Sequence, residues 1–423
     1  MTADEAGISG GKGIAELATE GAAGQVAGGG QPPVGWLLAP ASWVLRAVAL
    51  GLLAVLGAQM YRTSPNVGMD NDFVVRAART FLDGGAPYTD RRFLYLPSAV
   101  LAAVPEALLS RGQLRMLVIG VGQAAVLAGW WASLRIFKVA AGSRLAALGV
   151  VGLVFFEPFR NVVNIGNWTL ASVVALPFAL LCVQRARWGA AGLVVGLALA
   201  VKPMLVPLLL LFVFGRRWRA LAVALVVPVA ASVLAALMMP RPGMFFTRTL
   251  PFLLHGQDAF ARPFDASLGM ILTRFDVPGA LAYGAAAVVA AAGVGCAWLR
   301  WRRGEHGPRR PVETAAMLML AAFLVSRPSF DHYLLVVLLP LLASVAVAGS
   351  VPRTVWFWVA LVPQVSGFAW PYLEAIQRRA FRDAATLWLL AAVTARACAR
   401  RRVVRTVTLA ETGQDRTPVR DAF

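Results

Sequence analysis

The chain has 423 residues, of which 59% are hydrophobic and 14% charged, with a mean hydropathy of +0.68. Soluble domains are roughly 45–50% apolar and about 25% charged, so this composition excludes a water-soluble multidomain globule. Forty Lys and Arg against 21 Asp and Glu give a net charge of +19. The basic residues punctuate gaps between apolar runs instead of lining a polar face, which argues against a nucleic-acid binder. The expected class is an all-α polytopic membrane protein.

In chain order, residues 1–35 are Gly- and Ala-rich, without a sustained period, and lack the short apolar core and cleavage site of a signal peptide. The first 42 residues are read as a disordered cytoplasmic tail, 43–399 as the membrane catalytic domain, and 400–423 as a basic cytoplasmic tail opened by Arg400, Arg401 and Arg402. Apolar runs fall at 44–60, 113–134, 145–162, 168–184, 220–238, 278–299, 313–327, 333–350, 354–371 and 384–398. Many approach the ~20 residues that cross a bilayer core. Two segments are irregular. Residues 94–109 carry Pro97, Pro105 and Glu106, and residues 189–214 are broken by Lys202–Pro203, where proline removes a helix donor. The expectation is about ten to twelve membrane helices.

Arginine in short loops sets orientation. Arg135, Lys138, Arg144, Arg185, Arg187, Arg216, Arg217, Arg219, Arg302, Arg303, Arg309 and Arg310 fall on one side by alternation. That side is read as cytoplasmic. The opposite loops, the first at about 61–96 and the largest at about 239–277, carry most of the acids, with Arg76, Arg79, Arg91, Arg92 and Arg248 as exceptions. Chemistry is therefore sought on the outer face. Cys182, Cys296 and Cys398 each end an apolar run that leads into arginines. Neither a disulfide framework nor a zinc site is expected, and no cofactor.

The first outer loop is the most informative stretch. It runs Met69–Asp70–Asn71–Asp72–Phe73, then an amphipathic segment 74–82, then Gly84–Gly85 and Tyr88. A carboxylate at the mouth of a membrane cavity serves either as a general base on a sugar hydroxyl or as a helix cap. Glu157, Asn161, Asn164 and Asn167 follow on the same face. They suit hydrogen bonding to sugar hydroxyls, or an ordinary interfacial turn. Lys202 is the sole charge in its apolar run. It suits a lipid-linked phosphate, or snorkels to an interface. His332, between Asp331 and Tyr333, binds phosphate when protonated or is a solvated loop histidine.

The first loop resembles that of the polyprenyl-phosphate-sugar-dependent glycosyltransferases of family 87, which share the GT-C membrane fold. Their pattern is an acid before an amphipathic helix, then Gly and Tyr, then aromatic–Tyr–Pro–Pro. Here it reads Asp70 or Asp72, Gly84–Gly85, Tyr88, and Phe93–Leu94–Tyr95–Leu96–Pro97, with Leu96 replacing the first proline. The family's Gly–Gln element appears as Gly166–Asn167, and its intramembrane Lys–Pro element as Lys202–Pro203. Gly196–Leu211, Trp218–Arg219–Ala220 and the string Phe245–Phe246–Thr247–Arg248–Thr249–Leu250–Pro251 resemble the branch acting in mycobacterial arabinan synthesis. Asp331–His332–Tyr333 looks more like the mannosyltransferase branch.

The resemblance implies an actinobacterial cell-wall enzyme of the plasma membrane with its active site on the extracytoplasmic face. It implies a decaprenyl-phosphoryl-arabinose donor, an arabinan acceptor of arabinogalactan or lipoarabinomannan, and an α-(1→3) product formed with inversion. It further implies Asp70 as base with Asp72 second, and Lys202 and Arg248 at the donor phosphate. Glu157, Asn161, Asn167, His332 and Tyr95 would contact substrate. A polyprenyl-phosphate-mannose mannosyltransferase is the alternative within the fold, and a transporter or flippase the alternative outside it. The repeated halves typical of transporters are not legible.

Overall fold

The computed structural model describes residues 34–255, 261–303, 307–368, 370, 372–373 and 375–400. Most of both predicted tails, residues 1–33 and 401–423, lies outside the described residues. Residues 34–42, the end of the stretch read as a tail, are described. They hold helix α1 (Val34–Leu38), whose Trp36 ring lies 4.8 Å from the Arg144 guanidinium.

Helix α2 (Trp43–Thr63) opens the bundle, capped by the Ser42 hydroxyl. Its last carbonyls have no partner within the helix. Arg115 collects those of Met60, Tyr61 and Ser64. Two shorter helices follow, α3 (Met69–Leu82) and α4 (Pro97–Ala107), and α5 (Arg111–Ile136) starts from a Ser110–Gln113 capping box. The run expected at 145–162 is two helices, α6 (Arg144–Val154) and α7 (Glu157–Ile165). Pro158 would clash with the Val154 carbonyl in a continuous helix, yet fits the first turn of a new one.

After α8 (Thr169–Gln184) and α9 (Trp188–Val201), Lys202 is extended, with φ −149° and ψ 122°. Pro203 disfavours helical geometry at the residue before it. The chain then makes a 3₁₀ turn, Pro203–Leu208, and continues as α10 (Leu209–Phe214) and α11 (Trp218–Met238). The large loop carries a π-helical turn Phe245–Thr249, α12 (Leu250–His255) and α13 (Leu268–Thr273). Next come α14 (Gly279–Arg303), α15 (Arg309–Val325) and α16 (Leu334–Ala343). The run expected at 354–371 breaks early into α17 (Val355–Leu361) and a 3₁₀ turn Val362–Gln364, before α18 (Ile376–Ala399).

Among the described residues, four helices, α2, α5, α11 and α14, are long and apolar enough to cross a bilayer. Several others are apolar but shorter, including α6, α8 and α9. Among the described residues there is no β-strand, only the isolated bridges Pro40–Ser143 and Phe156–Val365. The protein is an all-α polytopic membrane protein. Helices α15 and α16 are buried along most of their length, in contact with each other. Helix α3 buries Val74, Val75, Ala77 and Ala78, and packs against α4.

Two of the arginines that broke the charge rule, Arg76 and Arg79, have local partners. Arg79 donates to the Ala107 and Leu109 carbonyls at the end of α4. Arg76 pairs with Asp72 at 3.2 Å and approaches Asp90 at 4.0 Å.

Candidate active site

The site begins where the start of α3 meets the end of α7. Gly68 has φ 77°, and its N–H donates to the Asn164 carbonyl at 2.8 Å. Gly166 ends α7 with φ 64°. A Cβ there would sit 2.7 Å from Val118 Cγ1 and 3.2 Å from Asn71 Cβ. Only glycine combines that backbone with so close an approach. The two glycines thereby bring Asp70 beside Asn167, although 97 residues separate them.

Asn167 is buried and bonded on both ends of its carboxamide. Its Nδ2 donates to Asp70 Oδ2 at 2.5 Å, and its Oδ1 accepts from Lys202 Nζ at 2.7 Å. Thr169 completes the cluster: its hydroxyl donates to Asn167 Oδ1 and accepts from Lys202 Nζ at 2.9 Å. Lys202 Nζ also lies 5.9 Å from the Tyr95 ring centroid and 5.3 Å from that of Tyr333. The helix break at Pro203 thus turns Lys202 inward to polar and aromatic partners. It does not snorkel outward.

A cavity of about 1170 Å³ opens against this cluster. Asp70, Tyr95, Asn161, Asn167, Lys202 and His332 are all in its wall, and so is Glu157. Glu157 starts α7, accepts from the Ser366 hydroxyl at 2.7 Å and lies 4.0 Å from Arg160. Two buried polar atoms in this wall have no partner, Asn164 Oδ1 and His332 Nε2. Unpaired buried polar atoms are costly, and both residues border the space a ligand would fill.

Asp331, in the same lining, gathers three donors. Its Oδ1 accepts from Asn161 at 2.8 Å and lies 3.2 Å from His332 Nδ1, while Oδ2 accepts from Arg379 at 3.2 Å. Burial alone would raise the Asp331 carboxyl. The bond and charge from His332, the Arg379 charge and the Asn161 bond outweigh it and hold the group well below the usual carboxylate range.

Two sequence candidates fall elsewhere. Asp72 is exposed, paired with Arg76, and outside the cavity lining. Arg248 is exposed on the π-helical turn and also outside that lining. Its string places aromatic rings instead: Phe245 packs against Tyr88 at 5.5 Å. Arg379 and Asp383 line the cavity but drew no notice in the sequence. Their i, i+4 spacing on a helix, each acid or base facing inward, is the signal that points to them.

A second, apolar cavity of about 660 Å³ runs between α5, α8 and α9. Its wall includes Leu117, Val121, Val174, Phe178 and Leu197, and its polar end holds Asn71, Glu106, Asn167 and Trp168. Asn167 is common to both cavities.

The model of glycosyltransferase family 87 matches residues 93–328. An alpha-(1->3)-arabinofuranosyltransferase of Mycobacterium tuberculosis (strain ATCC 25618 / H37Rv) is 30% identical over 347 residues, 78% of this chain and 77% of that protein. The protein of the same name from Mycolicibacterium smegmatis is 29% identical over 332 residues, covering 75% and 76%. One from Corynebacterium glutamicum is 28% identical over 202 residues, covering 46% and 48%. No solved structure is significantly similar to this one. With a family match over more than half its length and a helical membrane body around one polar cavity, the chain belongs to glycosyltransferase family 87 and is a membrane glycosyltransferase.

Proposed function

We propose that the protein transfers arabinofuranose from decaprenyl-phosphoryl-arabinose to an arabinan acceptor in α-(1→3) linkage, on the extracytoplasmic face of the plasma membrane. The observation that carries this reading is the Asp70–Asn167–Lys202 triplet at the junction of a polar and an apolar cavity. The name shared by the similar proteins supplies the sugar. A lipid phosphate needs a cation for its head and an apolar wall for its chain. Lys202 offers the first, and the groove between α5, α8 and α9 offers the second.

The reaction is a single displacement at the anomeric carbon. The acceptor hydroxyl oxygen forms the new bond to C1 as its proton passes to Asp70. The bond from C1 to the phosphate oxygen breaks, and its electron pair leaves on decaprenyl phosphate. One base suffices for inversion, because no covalent intermediate forms. Asn167 orients the Asp70 carboxylate and the Lys202 ammonium together. Lys202 offsets the charge on the departing phosphate. Glu157 and Asn164 are suited to sugar hydroxyls from their places in the wall. Arg248, exposed and outside this wall, is left out of the phosphate site.

Incubation of the purified protein with labelled decaprenyl-phosphoryl-arabinose and a synthetic arabinan, followed by linkage analysis, tests the reading. An α-(1→3)-linked labelled pentose is expected. Transfer from polyprenyl-phosphate-mannose in place of the arabinose donor would contradict it.

A further inference from the structure

His332 is held from behind by a network that starts on the last helix. Asp383 of α18 accepts from Gln364 at 2.8 Å and lies 3.9 Å from the Arg379 guanidinium. Arg379 reaches on to Asp331 at 3.2 Å, and Asp331 meets His332 Nδ1 at 3.2 Å. Asn161 of α7 binds the same Asp331 oxygen as the imidazole. Asp331 is 4% exposed and His332 2% exposed. The imidazole is also fixed in plane: Phe330 stacks on it at 5.6 Å and 17°, and Tyr333 meets it edge-on at 5.0 Å.

Such a network is an unusual way to close a turn. Burying a carboxylate is expensive unless it is paired, and three donors converge on this one. Its arrangement leaves the other ring nitrogen, Nε2, buried and without a partner in a residue that lines the cavity. Tyr333 is near both groups, its ring centroid 5.0 Å from that of His332 and 5.3 Å from Lys202 Nζ. A ring whose Nδ1 faces a carboxylate has, in its charged form, a second N–H at Nε2. An anionic oxygen in the cavity is the acceptor that such a donor fits.

We propose that Asp331, itself pinned by Arg379 and Asn161, is a positioning residue that orients His332 so that Nε2 contacts the donor phosphate beside Lys202. The inference rests on reading the cavity as the donor phosphate site. Asp331 touches no substrate. Its effect passes through His332.

The test is a double-mutant cycle on the full-length protein in lipid nanodiscs, read as the Kd of decaprenyl phosphate, a probe without the sugar. Asp331→Asn and His332→Ala are each expected to raise that Kd about tenfold, the cost of one weakened charge-assisted bond. The double variant is expected to bind no worse than His332→Ala alone. If Asp331→Asn adds its full loss on the His332→Ala background, the two act independently and the proposal is overturned. A folded Asp331→Asn with unchanged Kd overturns it too. Arg379→Gln gives a second route if Asp331→Asn does not insert: it leaves Asp331 in place but unpinned, and a Kd for the probe equal to that of wild type overturns the proposal. Transfer kinetics separate the two readings. Wild type that binds decaprenyl phosphate but transfers no arabinose sinks the proposed function and leaves the cycle interpretable. With transfer present, Asp331→Asn should raise donor KM while kcat stays within about twofold.

Discussion

Asp70 and Lys202 are held on opposite ends of one carboxamide: Asn167 donates to the carboxylate at 2.5 Å and accepts from the ammonium at 2.7 Å. A free Asp and Lys brought this close would pair with each other, and both would lose their reactivity to that ion pair. The amide keeps them near enough to act on one substrate while filling the bonds each would otherwise take from the other. Asparagine is suited to this because its two ends differ, one donor and one acceptor.

Asp70→Asn removes the base and preserves size. General-base assistance is typically worth about 10²–10⁴-fold, so kcat should fall at least about a hundredfold with donor affinity nearly intact. Asp72→Asn, at an exposed position paired with Arg76, should leave kcat within about twofold. Steady-state kinetics on both variants check this, and the opposite ranking would move the base to Asp72.

Lys202→Met keeps an unbranched side chain one atom shorter and removes the charge. Donor KM should rise while the protein still inserts, and Lys202→Arg should recover part of the loss because the guanidinium is planar and larger. Equal donor affinity in wild type and Lys202→Met would remove the phosphate role.

Gly166→Ala should loosen the site from a distance. The left-handed backbone costs a non-glycine residue roughly 1–2 kcal/mol, and the new methyl would press on Val118 and Asn71. Thermal unfolding in detergent should shift down, and activity should fall with it as α3 is pushed off α7. A variant as stable and active as wild type would show that the Gly68–Gly166 approach does not set the geometry.

Asp383 stands in the polar opening of α18, ahead of the apolar run at 384–398. Burial, with the neighbouring Asp331 charge, pushes its carboxyl up to about 7. A folded value raised above the unfolded value near ~3.9 means that the fold favours the protonated form. That contribution is complete at low pH, declines as pH rises, and is gone once pH passes about 7. Wild-type Tm should therefore fall between about pH 5 and pH 7.5 more steeply than the Tm of Asp383→Asn. Parallel curves for the two proteins would argue that Asp383 does not titrate in this range.

Orientation has its own check. In a background lacking Cys182, Cys296 and Cys398, a cysteine at the exposed Asp83 should react with an impermeant thiol reagent in intact cells, and one at the exposed Arg187 should not. Short-loop arginine predicts that pattern, and its reverse would place the cavity on the cytoplasmic side.

Composition and apolar runs were enough for the class of the protein, because bilayer thickness constrains any chain that crosses it. The same local rules made Lys202–Pro203 legible as a break, since proline acts on its neighbours directly. The motif-bearing candidates Asp70, Asn167, Lys202 and His332 could be picked out singly, but their distances could not. Asp70 and Asn167 meet through a close approach of Gly68 to α7, and Arg379 meets Asp331 across 48 residues. Asp72 stood second to Asp70 in the same loop, and Arg248 was carried by its string. Their exposure follows from which face of α3 and of the π-helical turn the packing turns inward. The early end of the run at 354–371 has a local cause in Pro363, which apolar content alone passes over, whereas the bridge from Phe156 to Val365 just beyond it depends on a partner more than two hundred residues away.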